Sequence, residues 1–94
     1  MRIARFAKRF RRDYAKAKHS GRKIAKLEEV MQLLVNNELL LPKHKDHALR
    51  GVWQGTRDCH IEGDWILIYE LGMNQDGNDV IIFHATDTHE NLFG

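Results

Sequence analysis

Arg57-Asp58-Cys59-His60-Ile61-Glu62-Gly63-Asp64-Trp65-Ile66-Leu67-Ile68-Tyr69-Glu70 decides how this chain folds. Its first five residues alternate polar and apolar, Glu62-Gly63 suits a two-residue hairpin turn, and the run that follows is rich in β-branched and aromatic residues. The pattern predicts an antiparallel pair. The second strand is apolar on both faces through its middle, which predicts a central strand covered by another layer. Downstream, Gly72 to Asn78 reads as a mostly polar turn and Val80-Ile81-Ile82-Phe83-His84-Ala85 as the last strand. Asp87-Thr88-His89-Glu90 then reads as a helix start, with Asp87 as cap and Glu90 three residues on.

Upstream, Phe6, Phe10, Tyr14 and Ala17 recur at helical spacing among Lys and Arg, after a short strand predicted over 2–6. Ser20-Gly21 ends that helix, since glycine accepts the left-handed conformation common at helix termini. Ile24, Leu27, Val30, Met31, Leu34 and Val35 form the stripe of a second helix, closed by Asn36-Asn37. The two are expected to pack as a hairpin and to need a sheet to cover their shared apolar face. From Glu38 to Gly51, around the single proline Pro42, no period is sustained, and a surface connection is expected, pinned by Leu39-Leu40-Leu41. The result is an α+β fold: two N-terminal helices on a small, mainly antiparallel sheet with a short C-terminal helical turn.

Ninety-four residues, 43% hydrophobic and 30% charged, suit one domain over 1–94. The lone Cys59 cannot form an intramolecular disulfide and fits a small core residue, so a reducing cytoplasm is the expected compartment. The longest apolar run, Trp65 to Tyr69, is too short to cross a bilayer. The formal charge of +2 conceals an asymmetry: residues 1–26 hold eleven basic side chains against one acid, Asp13. A basic first helix bearing Arg9, Arg11, Arg12 and Lys16 is either a solvated face or a surface for a polyanion.

Six histidines are a high count for this length. His60 shares a strand face with Asp58, and the hairpin turn brings Asp64 to the same end of the sheet. A cluster joining His47, His60 and His89 would hold the parts of an acid–base site, because imidazole exchanges protons near neutrality. His44-Lys45-Asp46-His47 also spaces two histidines three apart, as some zinc sites do, although no CxxC or HExxH pattern accompanies them. Trp53, Trp65, Tyr69 and Phe83 read as packing residues.

Lys45-Asp46-His47-Ala48-Leu49-Arg50-Gly51, Arg57-Asp58-Cys59-His60, Asp64-Trp65-Ile66-Leu67-Ile68-Tyr69 and Thr88-His89-Glu90-Asn91-Leu92-Phe93-Gly94 form an ordered set. On these residues the chain resembles the YafQ-like toxins of the RelE/ParE superfamily, from the first helix to the last residue. The resemblance implies a RelE-like fold and a ribosome-dependent mRNA interferase of a type II toxin–antitoxin system, using no metal or cofactor. It further implies ribosome and mRNA as partners and a DinJ-like antitoxin in a hetero-oligomer. The family's active-site positions fall on His47, His60, Asp64, His89 and Phe93, with Asp58 beside them. His47 or His60 would be the base, His89 the acid, Asp64 an orienting carboxylate and Phe93 a nucleotide contact, while Arg57 would help to hold the phosphate. The alternatives are a non-catalytic RelE/ParE-like toxin or RNA-binding module, which needs the basic helix but not the histidines, and a small metal-binding protein.

Overall fold

The computed structural model describes residues 1–94. In chain order the elements are β1 (Ile3–Phe6), α1 (Lys8–His19), α2 (Ile24–Val35), β2 (His47–Ala48), β3 (Arg57–Glu62), β4 (Trp65–Met73), β5 (Asp79–Thr88) and α3 (His89–Phe93), with 3₁₀ turns at Pro42–His44 and Gly51–Trp53. The strands form one sheet in the order β1-β5-β4-β3-β2. Only the β1–β5 pair, which joins the two ends of the chain, is parallel.

The helices follow from their apolar spacing. α1 buries Phe10 and Ala17, α2 buries Leu27, Val30 and Leu34, and both rest on the same face of the sheet. Lys16, Lys18 and His19 lie in the last turn of α1, where positive charge offsets the exposed carbonyls. The chain then reverses through Gly21, whose φ of 83° is unfavourable for a side chain. Cys59, Leu67, Tyr69, Ile81 and Phe83 complete this core from the strands. Each large apolar side chain sealed there contributes about 1.5–3 kcal/mol. The opposite face carries a smaller cluster of Ile66, Ile68, Ala85 and Leu92, flanked by Leu49 and Trp53.

Several expectations are corrected. The stretch from Glu38 to Gly51 is not only a connection: its His47 and Ala48 pair with Asp58 and Arg57 as a fifth, edge strand, too short to show alternation. Of the three consecutive leucines only Leu40 packs on the core, while Leu39 and Leu41 are exposed, because extended backbone cannot turn successive side chains the same way. The helical hairpin is splayed, leaving an apolar groove of about 710 Å³ bordered by Phe6, Phe10, Met31 and Val35. The β3–β4 turn falls on Gly63 and Asp64, one residue later than expected, with Gly63 at φ 55°. β4 runs on to Met73, so the next turn is the shorter Asn74 to Asn78, closed by Asn74 Oδ1 accepting from the Asp76 and Asn78 amides at 3.0 Å. Finally β5 continues to Thr88, and Thr88 rather than Asp87 caps α3, its Oγ1 accepting from the Asn91 amide at 3.2 Å.

Candidate active site

Two local features bring distant histidines together on the sheet face away from α1 and α2. The first is the β4–β5 register. Trp65 pairs with Thr88, so the turn residue before one, Asp64, meets the helix residue after the other, His89. There His89 Nδ1 donates to Asp64 Oδ1 at 2.8 Å, and the His89 amide lies 3.4 Å from the same oxygen. The second is the edge strand β2, which sets His47 opposite Asp58. His60, two residues beyond Asp58 on β3, shares that face.

The rings of His60 and His89 lie 4.9 Å apart, and that of Phe93 lies 5.9 Å from His89. His47 Nδ1 donates to the Lys45 carbonyl at 2.8 Å and stands 3.0 Å from Asp58 Oδ1. Its single Nδ1 hydrogen points at the carbonyl, so the Asp58 oxygen feels the ring electrostatically but accepts no hydrogen bond. Thus Asp64, His89, His60 and Phe93 adjoin one another, and His47 stands over Asp58 on the same face of the sheet. Asp58 is 1% exposed whereas Phe93 is 43% exposed: the carboxylate is sealed and the aromatic stands open to a ligand.

These surroundings shift proton affinities in opposite directions. Burial holds the Asp58 carboxyl above the usual carboxylate range, against the pull of the three neighbouring imidazoles. Burial also lowers the affinity of His60 for a second proton, and the positive charge of His89 lowers it further, while Asp58 opposes both. His60 is therefore held toward its neutral form near pH 7. The hydrogen bond from His89 holds Asp64 below the carboxylate range, so it remains an acceptor.

The structure does not bring Arg57 to this cluster. Strand alternation puts it on the face of Cys59, where its Nε and Nη2 reach Asp46 at 3.3 and 3.4 Å. Asp46 also accepts from the Tyr69 hydroxyl at 2.5 Å. Arg9, Arg11, Arg12 and Lys16 lie on α1, on the other side of the sheet; Arg9 Nε is 3.5 Å from Asp13, and the remaining three are exposed. Two further residues support the site: His44, which the sequence offered only as a metal-ligand candidate, and Trp53, read there as packing. His44 is buried and its Nδ1 donates to the His60 carbonyl at 2.7 Å, fixing the strand that carries His60. Trp53 underlies α3, its Nε1 donating to the Leu92 carbonyl at 3.3 Å. No periodicity links positions so far apart in the chain. Burial keeps Cys59 as a thiol, away from the cluster, in keeping with a core role.

A mixed five-stranded sheet with two helices packed on one face is the RelE-like α+β fold. Residues 2–94 match the family described as bacterial toxin of type II toxin–antitoxin system, YafQ, and the chain belongs to that family. It is 41% identical over 90 residues to mRNA interferase toxin YafQ of Escherichia coli strain K12, covering 95% of this chain and 92% of that one. Among solved structures it resembles YafQ from E. coli strain BL21(DE3), with a TM-score of 0.89 and 38% identity over 100% of both chains. It also resembles a chain of the E. coli DinJ–YafQ complex, with a TM-score of 0.86, 40% identity and the same full coverage.

Proposed function

We propose that this protein is a ribosome-dependent endoribonuclease that inhibits translation by cutting mRNA, and that a DinJ-like antitoxin holds it in check in a hetero-oligomer. The observation that carries the reading is the His60–His89 pair, 4.9 Å between ring centres, with His89 oriented by Asp64. Cleavage without a metal requires the ribose 2′-oxygen to attack the adjacent phosphorus while the bond to the 5′-oxygen breaks. One group takes the 2′ proton and another protonates the departing oxygen. His60, kept neutral by its surroundings, suits the base. His89 suits the acid in its imidazolium form: Asp64 accepts from Nδ1–H and supports the positive charge, and the proton on Nε2 is the one given to the departing 5′-oxygen. His47 lies beside them to bear on the phosphate, and Phe93 offers a face to a base.

Basic α1 supports the ribosomal part, because an array of Lys and Arg binds RNA phosphates without reading sequence. No helix is long and apolar enough to cross a membrane, and a toxin whose substrate sits on ribosomes works in the cytoplasm. The test is induction of the chain in growing cells with mapping of mRNA 5′ ends, beside His89→Gln. New 5′ ends within translated frames are expected for the parent and none for the variant, with unchanged thermal unfolding. Full cleavage by the folded variant would eliminate His89 as the acid. Absence of cleavage by the parent would favour a purely binding toxin.

A further inference from the structure

Arg57 is occupied by Asp46 on the other face of the sheet and brings no permanent cation to this cluster. A second cavity supplies one. Between α2, the 3₁₀ turn at Pro42–His44 and β3 lies a pocket of about 500 Å³, within the range that holds small ligands. His60 borders this pocket as well as the cluster, and the charge of Lys45 acts on its ring. Its wall carries Lys26, Lys43 and Lys45 against Glu29 and Glu62. Lys26 is committed to Glu62 at 2.5 Å, whereas neither Lys43 nor Lys45 takes part in an ion pair.

Lys45 is also held in an unusual way. It has φ 47° and ψ 45°, the left-handed region that a residue with a Cβ seldom enters. That conformation aims its carbonyl at His47 Nδ1. Backbone strain of this kind persists where the surroundings enforce it, and here one residue both orients a site imidazole and carries an unpaired ammonium.

We propose that this pocket is a nucleotide subsite of the same active site, taking the mRNA residue next to the cut bond, with Lys45 on its phosphate. The inference rests on the endoribonuclease reading above. It is tested by single-turnover cleavage of mRNA on programmed ribosomes, titrated with toxin. A charge-assisted contact to phosphate corresponds to a rate loss of about 30-fold in Lys45→Met at saturating toxin. The half-saturating concentration, set by docking on ribosomal RNA, stays where it was. Lys45→Arg restores most of the rate. Leu41→Trp, at an exposed wall position, fills the pocket without changing charge and produces the same pattern. Parent-like rates in both Lys45→Met and Leu41→Trp would overturn the subsite. So would an effect of Lys45→Met confined to the half-saturating concentration, which would make Lys45 one more docking cation. A parent chain that cuts nothing on ribosomes would instead remove the endoribonuclease reading and this inference with it.

Discussion

Replacing Asp58 with Asn should make the protein more stable and less active at once. Asp58 is sealed from water, one of its oxygens accepts no hydrogen bond, and three imidazoles act on it. Two residues along a strand separate it from His60, about 6.6 Å of rise. At that distance unit charges interact by about 2.5 kcal/mol for an effective dielectric near 20, and by well under 1 kcal/mol in water. His60 is half-buried, so about 1–2 kcal/mol is the working figure, or roughly 5- to 30-fold in the share of rings able to hold a second proton. Removing the carboxylate therefore moves the His60 titration further down and weakens the support for any imidazolium at the phosphate. Cleavage at pH 7 should fall by about tenfold. Stability moves the other way. A carboxyl whose affinity for protons is raised by folding contributes stability that is fully present below its unfolded pKa and is lost as the pH rises through its folded one, so at pH 7 the parent bears the burial cost of the charge. Asparagine does not. A gain of about 1 kcal/mol is about 4–8 °C in Tm for a chain of this size, shrinking as the pH falls toward about 4. Thermal unfolding against pH, histidine titration by NMR and single-turnover cleavage read the three effects. An Asp58→Asn protein with parental cleavage and a lowered Tm at pH 7 would refute the reasoning.

The other predictions concern separate parts of the molecule. Charge reversal of Arg9, Arg11 and Arg12 should weaken ribosome binding and flatten its salt dependence by roughly 0.7–0.9 in log–log slope for each lost phosphate contact, measured by co-sedimentation; an unchanged slope would show that α1 does not dock. Trp53→Ala empties the seat of α3 and should cost about 3 kcal/mol in chemical denaturation, with cleavage falling more steeply than stability because His89 and Phe93 lose their support. In His89→Gln the Asp64 carboxyl loses the ring that holds its proton affinity down. Its NMR titration should rise toward the ordinary carboxylate value. Cleavage on ribosomes washed of the chelator should survive prior EDTA treatment of the toxin, since acid–base cleavage asks nothing of a metal; irreversible loss, restored by one metal, would revive the metal-binding alternative.

How far the sequence reached depended on how many residues each element had to declare itself. Leu27, Val30 and Leu34 recur over a whole helix, and the unbroken apolar run Trp65 to Tyr69 marks the interior of β4, so both elements could be read although the ends of β4 could not. β2 has two residues, His47 and Ala48, and two residues show no period. The histidine was nevertheless joined to His60 and His89, from the residues and again through the resemblance, while the strand that holds it went unread. Arg57 failed for another reason: its partner, Asp46, lies eleven positions away in an irregular segment, and no local rule pairs them.

The end of β5 shows the same limit from the other side. A register shift between Ile68 and Tyr69 pairs Ile68 with Ala85 but Tyr69 with Phe83, leaving His84 as the extra residue on β5. Beyond that bulge the strand continues to Thr88, three residues past where its apolar run stops, and Thr86, Asp87 and Thr88 stay in the ladder with Leu67, Ile66 and Trp65. Those pairings are what carry His89 to Asp64. Polar strand residues after a bulge look like a loop in the sequence, because the ladder that orders them belongs to β4 and not to themselves. The position of the acid is thus set by a pairing register, and shortening β5 by one residue after the bulge should displace His89 from Asp64 while leaving the core around Phe83 and Leu67 intact.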